Sequence, residues 1–194
     1  MVDIRQMILA PEQWHCLNPI EITTPRVALR PLRPTDAPDL ARIAGNDAVA
    51  PILASVTSPW HETDVLQWIE QSRWRGRVGF KLGVCLPDGT LIGPLGLGGT
   101  PKSVAYFLAP SLWGRGLMTE APQRFLPWAC LRFELHQIKV DHFADNPSSG
   151  RVLEKPGFVK TGSARLGSAA RIGTALGYTY CLDCEHLAAL PTRE

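Results

Sequence analysis

No apolar run in this chain approaches the roughly 20 residues that a membrane-spanning helix needs, and the N-terminus lacks the apolar core of a signal peptide. Charge of one sign is scarce as well. A net charge of +2 gives no reason to expect a nucleic acid or an acidic membrane surface as partner. The five cysteines are odd in number and widely scattered, so no disulfide framework is expected. Cys181-Leu-Asp-Cys184 is a lone CxxC without the second pair that a zinc site would want. It closes an apolar, strand-like run instead of opening a helix, which argues against redox chemistry. Ordinary core and edge cysteines, no metal site and a cytoplasmic location are the expectations that follow. The commoner phosphate loops are missing too. There is no Gly, four residues, Gly-Lys-Ser/Thr string, and Thr119 stands where a dinucleotide fingerprint wants its third glycine after Gly116.

What is present suits one globular domain. The chain has 194 residues, 45% of them hydrophobic and 20% charged, enough to bury a sizeable core. Residues 1–20 show no sustained period and read as an N-terminal extension, with the domain over 21–190. A first strand is expected at Arg26–Pro31. Arg33-Pro34-Thr35-Asp36 then supplies a turn and a cap for a helix carrying Leu40, Ile43 and Ala44. A second helix is expected from Glu62 to Arg73. Gly79–Leu86 and Leu91–Leu97 read as strands joined by Pro87-Asp88-Gly89-Thr90, and Val104–Leu108 continues that sheet. A main helix over Leu117–Phe133 contains Pro122 and Pro127, of which the second predicts a kink. Gln137–Phe143 is the next strand, and Ser148–Lys155 a short helix capped by Asn146 or Ser148. Phe158–Thr161 and Tyr178–Cys184 close the sheet around a loop at 162–174. The fold class is α+β, a mixed and mostly antiparallel sheet flanked by helices.

The stretch from Val104 to Ala121 runs strand, glycine-containing loop, helix N-terminus. Such a junction offers unpaired backbone N–H groups and the positive end of a helix dipole, which suit an anion such as a pyrophosphate. On these residues alone an ordinary strand-to-helix turn reads as well. The string Leu-Ala-Pro-x-x-Trp-Gly-Arg-Gly-x-x-Thr-Glu-Ala resembles the pyrophosphate loop of the GNAT superfamily of acyl-CoA N-acyltransferases, and within it the branch of the ribosomal-protein-alanine N-acetyltransferases. A second string, Asn146-Pro-Ser-Ser149 leading to Glu154-Lys-Pro-Gly-Phe158, resembles the same branch, in its order and at its separation. Met118, Gly150 and Pro156 depart from the branch, which usually carries Ala or Gly at the first position, Ala or Ser at the second and Leu at the third.

The resemblance implies a GNAT-like sheet splayed between Val104–Leu108 and Gln137–Phe143, with acetyl-CoA as cosubstrate in the cleft. It places the pantetheine against backbone around Phe107, Leu108 and Ala109. The diphosphate falls on the N–H groups of Gly114, Arg115, Gly116, Leu117, Met118 and Thr119, with Asn146 binding the pantetheine arm. The Tyr that many members use as general acid corresponds to Leu153 here, so Ser149 is the candidate acid. The branch's Glu corresponds to Ser103. Histidine titrates in a useful range, and His142 shares a sheet face with Asn146 by the two-residue period, so it is the candidate base; direct attack by a neutral amine needs none. The expected activity is acetyl transfer from acetyl-CoA to a primary amine, perhaps a protein N-terminus. The competing readings are a small-amine or antibiotic acetyltransferase and a non-catalytic acyl-CoA-binding module. A monomer and a homodimer are both compatible with the sequence.

Overall fold

The computed structural model describes residues 20–188, so the expected N-terminal extension lies, apart from Ile20, outside the described residues. Its strands are β1 Ile22–Thr23, β2 Ala28–Pro31, β3 Phe80–Cys85, β4 Leu91–Gly98, β5 Ser103–Tyr106, β6 Gln137–Phe143, β7 Val159–Gly167 and β8 Thr174–Asp183. The helices are α1 Ala37–Ala44, α2 Glu62–Gln71, α3 Leu117–Arg132, α4 Pro147–Glu154 and α5 Cys184–Ala188. The strands form one eight-stranded sheet in the order β1-β2-β3-β4-β5-β6-β8-β7. Every neighbouring pair is antiparallel except β5 with β6. The α+β expectation holds.

Strand alternation assigns the two faces. On β6, Ile138, Val140 and His142 are buried, whereas Gln137, Lys139 and Asp141 are exposed. Ile138 and Val140 share the main core with Phe80, Leu82, Leu95, Leu97 and Val104, under Phe125 and Leu126 of α3 and Leu153 of α4, whereas His142 lines the cavity described below. A second core gathers Leu40 and Ile43 of α1, Val65 and Ile69 of α2, and Trp60. Asp36 pins the entry to α1. Its carboxylate accepts the Arg33 N–H at 2.7 Å and takes both Arg30 guanidinium nitrogens at 2.8 Å. Burial resists that charge, but the bonds from Arg30 and Arg33 outweigh it and hold the carboxyl below the usual range.

The main helix falls where expected, α3 running over Leu117–Arg132 with Pro122 and Pro127 inside it. Two expectations change. The closing strands are far longer than expected and leave only a short link where a loop over 162–174 was expected, because β7 and β8 stay in register out to Gly167 opposite Thr174. β7 is exposed almost throughout, so no apolar alternation marks its length in the sequence. Second, Cys130 and Cys184 are joined as a disulfide across 54 residues, with Cα atoms 5.6 Å apart. That bridge ties the end of α3 to the start of α5, while Cys85 and Cys181 are free. The expectation of ordinary core and edge cysteines therefore fails for Cys184, which is paired. No helix among the described residues is long and apolar enough to cross a membrane.

Candidate functional site: a cleft where the sheet opens

Strands β5 and β6 share a single ladder pair, Ser103 with Lys139, reinforced by the Lys139 N–H donating to Lys102 O at 2.8 Å. Beyond it the strands part, and a cavity of about 540 Å³ opens between them. Phe107, Leu108 and Ala109, which follow β5, are all buried. Ala109 has both backbone groups committed, its N–H to Ile92 O at 2.9 Å and its carbonyl to the Leu112 N–H at 3.0 Å. The Leu108 carbonyl accepts the Trp113 indole N–H at 2.8 Å. The Leu108 N–H has no partner among the described residues and is the donor left free where the sheet parts.

The loop into α3 carries the anion-binding character. The backbone N–H groups of Gly114, Arg115, Gly116, Leu117 and Met118 have no partner among the described residues, whereas Thr119 and Glu120 donate theirs to Gly116 O at 3.1 and 3.2 Å. Gly116, the residue before α3, sits at φ 75, a left-handed conformation that a side chain makes costly. The loop carbonyls are held from behind. Arg26 donates to Arg115 O at 2.9 Å and to Gly116 O at 3.5 Å, and pairs with the Glu120 carboxylate at 2.6 Å. Glu120 also accepts the Arg26 backbone N–H at 2.9 Å. Burial pushes the Glu120 carboxyl up, but hydrogen bonds from Thr24 and Arg26 hold it below the ordinary carboxylate range. Carbonyls tied to Arg26 leave the N–H side of the loop for the cleft. The Met118 side chain, 5% exposed, is buried in the main core, so its bulk lies largely in the helix packing.

Across the cleft, Asn146 caps α4. Its side-chain carbonyl accepts the Ser149 N–H at 3.3 Å, which leaves the amide N–H₂ to donate into the cavity that Asn146 lines. Ser149 Oγ lies 2.8 Å from the Tyr106 hydroxyl, and that hydroxyl also lies 3.2 Å from the Ser149 carbonyl. Burial raises the Tyr106 pKa, the Ser149 hydrogen bond opposing it and Tyr180 adding to it, so the phenol keeps its proton at neutral pH. A phenol is thus present beside Ser149 although Leu153 is a core residue. His142 is 7% exposed. Its Nδ1 lies 2.8 Å from Phe143 O and its Nε2 3.5 Å from the Tyr180 hydroxyl. A Cβ on Gly150 would come within 3.0 Å of that Nε2 and 3.3 Å of the Tyr180 oxygen. Glycine at this departure from the branch lets α4 settle onto the His142–Tyr180 layer, which sets the height of Ser149.

Val49 and residues 52–56 also line the cavity. The tip of the β7–β8 hairpin docks on residues 50–54: Ala169 donates its N–H to Ala54 O at 2.9 Å, and the Ser168 hydroxyl donates to Ala50 O at 3.4 Å. Arg171 donates to Pro51 O and pairs with Asp145 at 2.7 Å. Lys81 of β3 and Asp141 of β6 also line the cavity. Burial lowers the Lys81 pKa. Its ammonium rests 4.6 Å from the Trp68 ring centroid and 3.3 Å from the Ser72 hydroxyl. No group of three or more His, Cys, Asp or Glu able to hold a metal occurs among the described residues. Sequence reasoning brought Asn146, Ser149 and the glycine loop to one cleft. It missed Tyr106, read only as part of an apolar strand, and the Arg26–Glu120 brace, whose partners stand 94 residues apart.

A run of free N–H donors beside a cleft that ends at a hydroxyl pair fits a phosphorylated thioester carrier such as acetyl-CoA, with the diphosphate at the loop and the reacting end near Tyr106. Known proteins agree with that architecture. A relative of 27% identity over 153 residues, covering 73% of this chain and 82% of its own, carries the name ribosomal N-acetyltransferase YdaF of Bacillus subtilis. N-acetyltransferase YjcK of the same organism is 42% identical over 62 residues, 32% of this chain; the match spans only 34% of that protein's length. Among solved structures, Mycobacterium smegmatis RimJ in complex with CoA-disulfide superposes with a TM-score of 0.72 at 24% identity, covering 88% of this chain and 90% of its own. Residues 26–159 match the acetyltransferase (GNAT) domain family, a span that holds the splay, the glycine loop, α3 and α4, and the chain belongs to that family.

Proposed function

We propose that the protein transfers the acetyl group of acetyl-CoA to a primary amine, with a protein N-terminus as the acceptor class. The observation that carries this reading is the succession of free N–H groups at Gly114–Met118, opening on the cavity that Tyr106 and Ser149 line. Acetyl-CoA supplies a thioester carbonyl and a thiolate leaving group. The chain's part is to hold and polarise them. Free N–H groups of the loop bind the diphosphate, and the Asn146 amide holds the pantetheine. The Leu108 N–H is the donor available to the thioester oxygen as charge develops there. Ser149 and Tyr106 provide the proton that the departing sulfur needs, Ser149 giving and Tyr106 resupplying. The name of YdaF supports an amine on a protein.

The test is thiol release from acetyl-CoA by the purified protein against an amine panel that includes N-terminal peptides, with mass analysis of the acceptor. Amine-dependent thiol release matched by acetylated product is expected. Binding of acetyl-CoA without acetylation of any amine offered would move the protein to the non-catalytic, acyl-CoA-binding class.

A further inference from the structure

The acceptor reaches an enzyme at neutral pH as an ammonium ion for most of the time, and only its neutral form attacks. Some group or solvent must take that proton. Ser103 has a hydroxyl that turns back to Val104 O at 3.3 Å. His142 is buried with both ring nitrogens close to oxygen partners, on the core face of β6. The neighbouring Asp141 alternates to the other face of the strand, two residues past the last pair with β5, and lines the cavity together with His142, Lys81 and residues 52–56. Its carboxylate makes no hydrogen bond or ion pair among the described residues, and Thr179, not a cation, stands opposite it on β8.

Resting on the acetyl-transfer reading above, we propose that Asp141 is the general base that accepts the proton of the acceptor ammonium. The carboxylate takes one N–H proton. The freed lone pair forms the N–C bond to the thioester carbonyl; as the C–S bond breaks, the nitrogen gives its second proton to water, and the sulfur leaves with the proton supplied by Ser149, which solvent restores through Tyr106. Asp141 then loses its proton to solvent. The charged and titratable groups around it suit the role. Lys139 lies two residues away on its own strand, and Cys181 pairs with Lys139 on β8. Lys81 faces the same cavity from β3, and Arg171 at the hairpin tip is engaged by Asp145. Partial desolvation where Asp141 lines the cavity raises its pKa and nearby His142 opposes the rise, which makes the carboxylate a better base than one in water.

The experiment compares kcat/KM against pH for wild type, Asp141→Asn and Asp141→Glu, using an alanine-initiated peptide and the same peptide bearing an aminooxy group, which is neutral at pH 7. With the alanyl peptide, Asp141→Asn should lose about tenfold or more at pH 7. Its remaining activity should follow the peptide amine's own titration, near about 7.7–8.0. The aminooxy peptide should lose less than about threefold, since it brings no proton that the base must remove before attack. Asp141→Glu should keep the wild-type profile shape, and the Kd for CoA should hold in both variants. A turning-over wild type matched by Asp141→Asn across pH, or an equal loss with both peptides, overturns the base and leaves acetyl transfer standing. A wild type that releases thiol with no amine overturns both.

Discussion

Gly116→Val is expected to weaken CoA binding by about ten- to thirtyfold. The left-handed backbone at Gly116, φ 75, costs a side-chain-bearing residue about 1–2 kcal/mol, and a β-branched one is worse placed still. Valine relieves that strain by turning the peptide out of the left-handed region, which swings the N–H groups of Leu117 and Met118 off the cleft. Binding must then restore the strained loop, and each 1.4 kcal/mol is about tenfold in affinity. The Cβ itself is not the obstacle, since its nearest neighbour would be Arg26 Nη2 at 3.5 Å. Arg115→Ala should cost far less, because Arg115 contributes its N–H whatever its side chain. Arg26→Ala should fall between the two, as it frees the Arg115 and Gly116 carbonyls that orient the loop. Calorimetric titration of the three variants with CoA measures the order. Normal binding by Gly116→Val places the pyrophosphate elsewhere.

Tyr106→Phe and Ser149→Ala should each lower kcat by about a hundredfold, within the 10²–10⁴ range typical of general acid catalysis, with the acetyl-CoA Kd little changed. The 2.8 Å contact makes the two hydroxyls one unit, so the double variant should be scarcely slower than either single one. Asn146→Ala should show the opposite split, binding suffering first, because its amide holds the carrier before and during reaction alike. It also removes the α4 cap, worth typically about 1 kcal/mol of stability, so melting must be measured beside it. A Tyr106→Phe enzyme with wild-type kcat, and Ser149→Ala slowed, would leave Ser149 as the donor on its own. Unchanged kcat in both would send the proton to solvent.

Local strings carried what was legible. The glycine loop, the Asn146 cap and the position of Ser149 all follow from short stretches whose backbone geometry their own residues dictate. Contacts across the fold were not legible. Tyr106 and Ser149 are 43 residues apart, and only the packing of α4 over the end of β5 joins them. Nothing in a strand-like Val-Ala-Tyr-Phe-Leu distinguishes a phenol aimed at a cleft from one packed in a core. Gly150 stood out in the sequence as a departure without a reason, which the His142–Tyr180 layer beneath it supplies. Asp141 was hidden by its neighbour: the two-residue period placed His142 with Asn146 and thereby turned Asp141 to the other face, although both line the cavity. The Cys130–Cys184 bridge was equally silent, for an odd scatter of cysteines says nothing of which two the sheet and α3 bring together.

The central claim is that the cleft between β5 and β6 is an acetyl-CoA site. Calorimetric titration of the wild-type protein with acetyl-CoA, paired with a melting curve at saturation, tests it most directly. One acetyl-CoA per chain should bind, and the melting temperature should rise with ligand concentration, because a ligand that binds only the folded state stabilises it by mass action. No heat of binding and no shift at saturating acetyl-CoA would contradict the account.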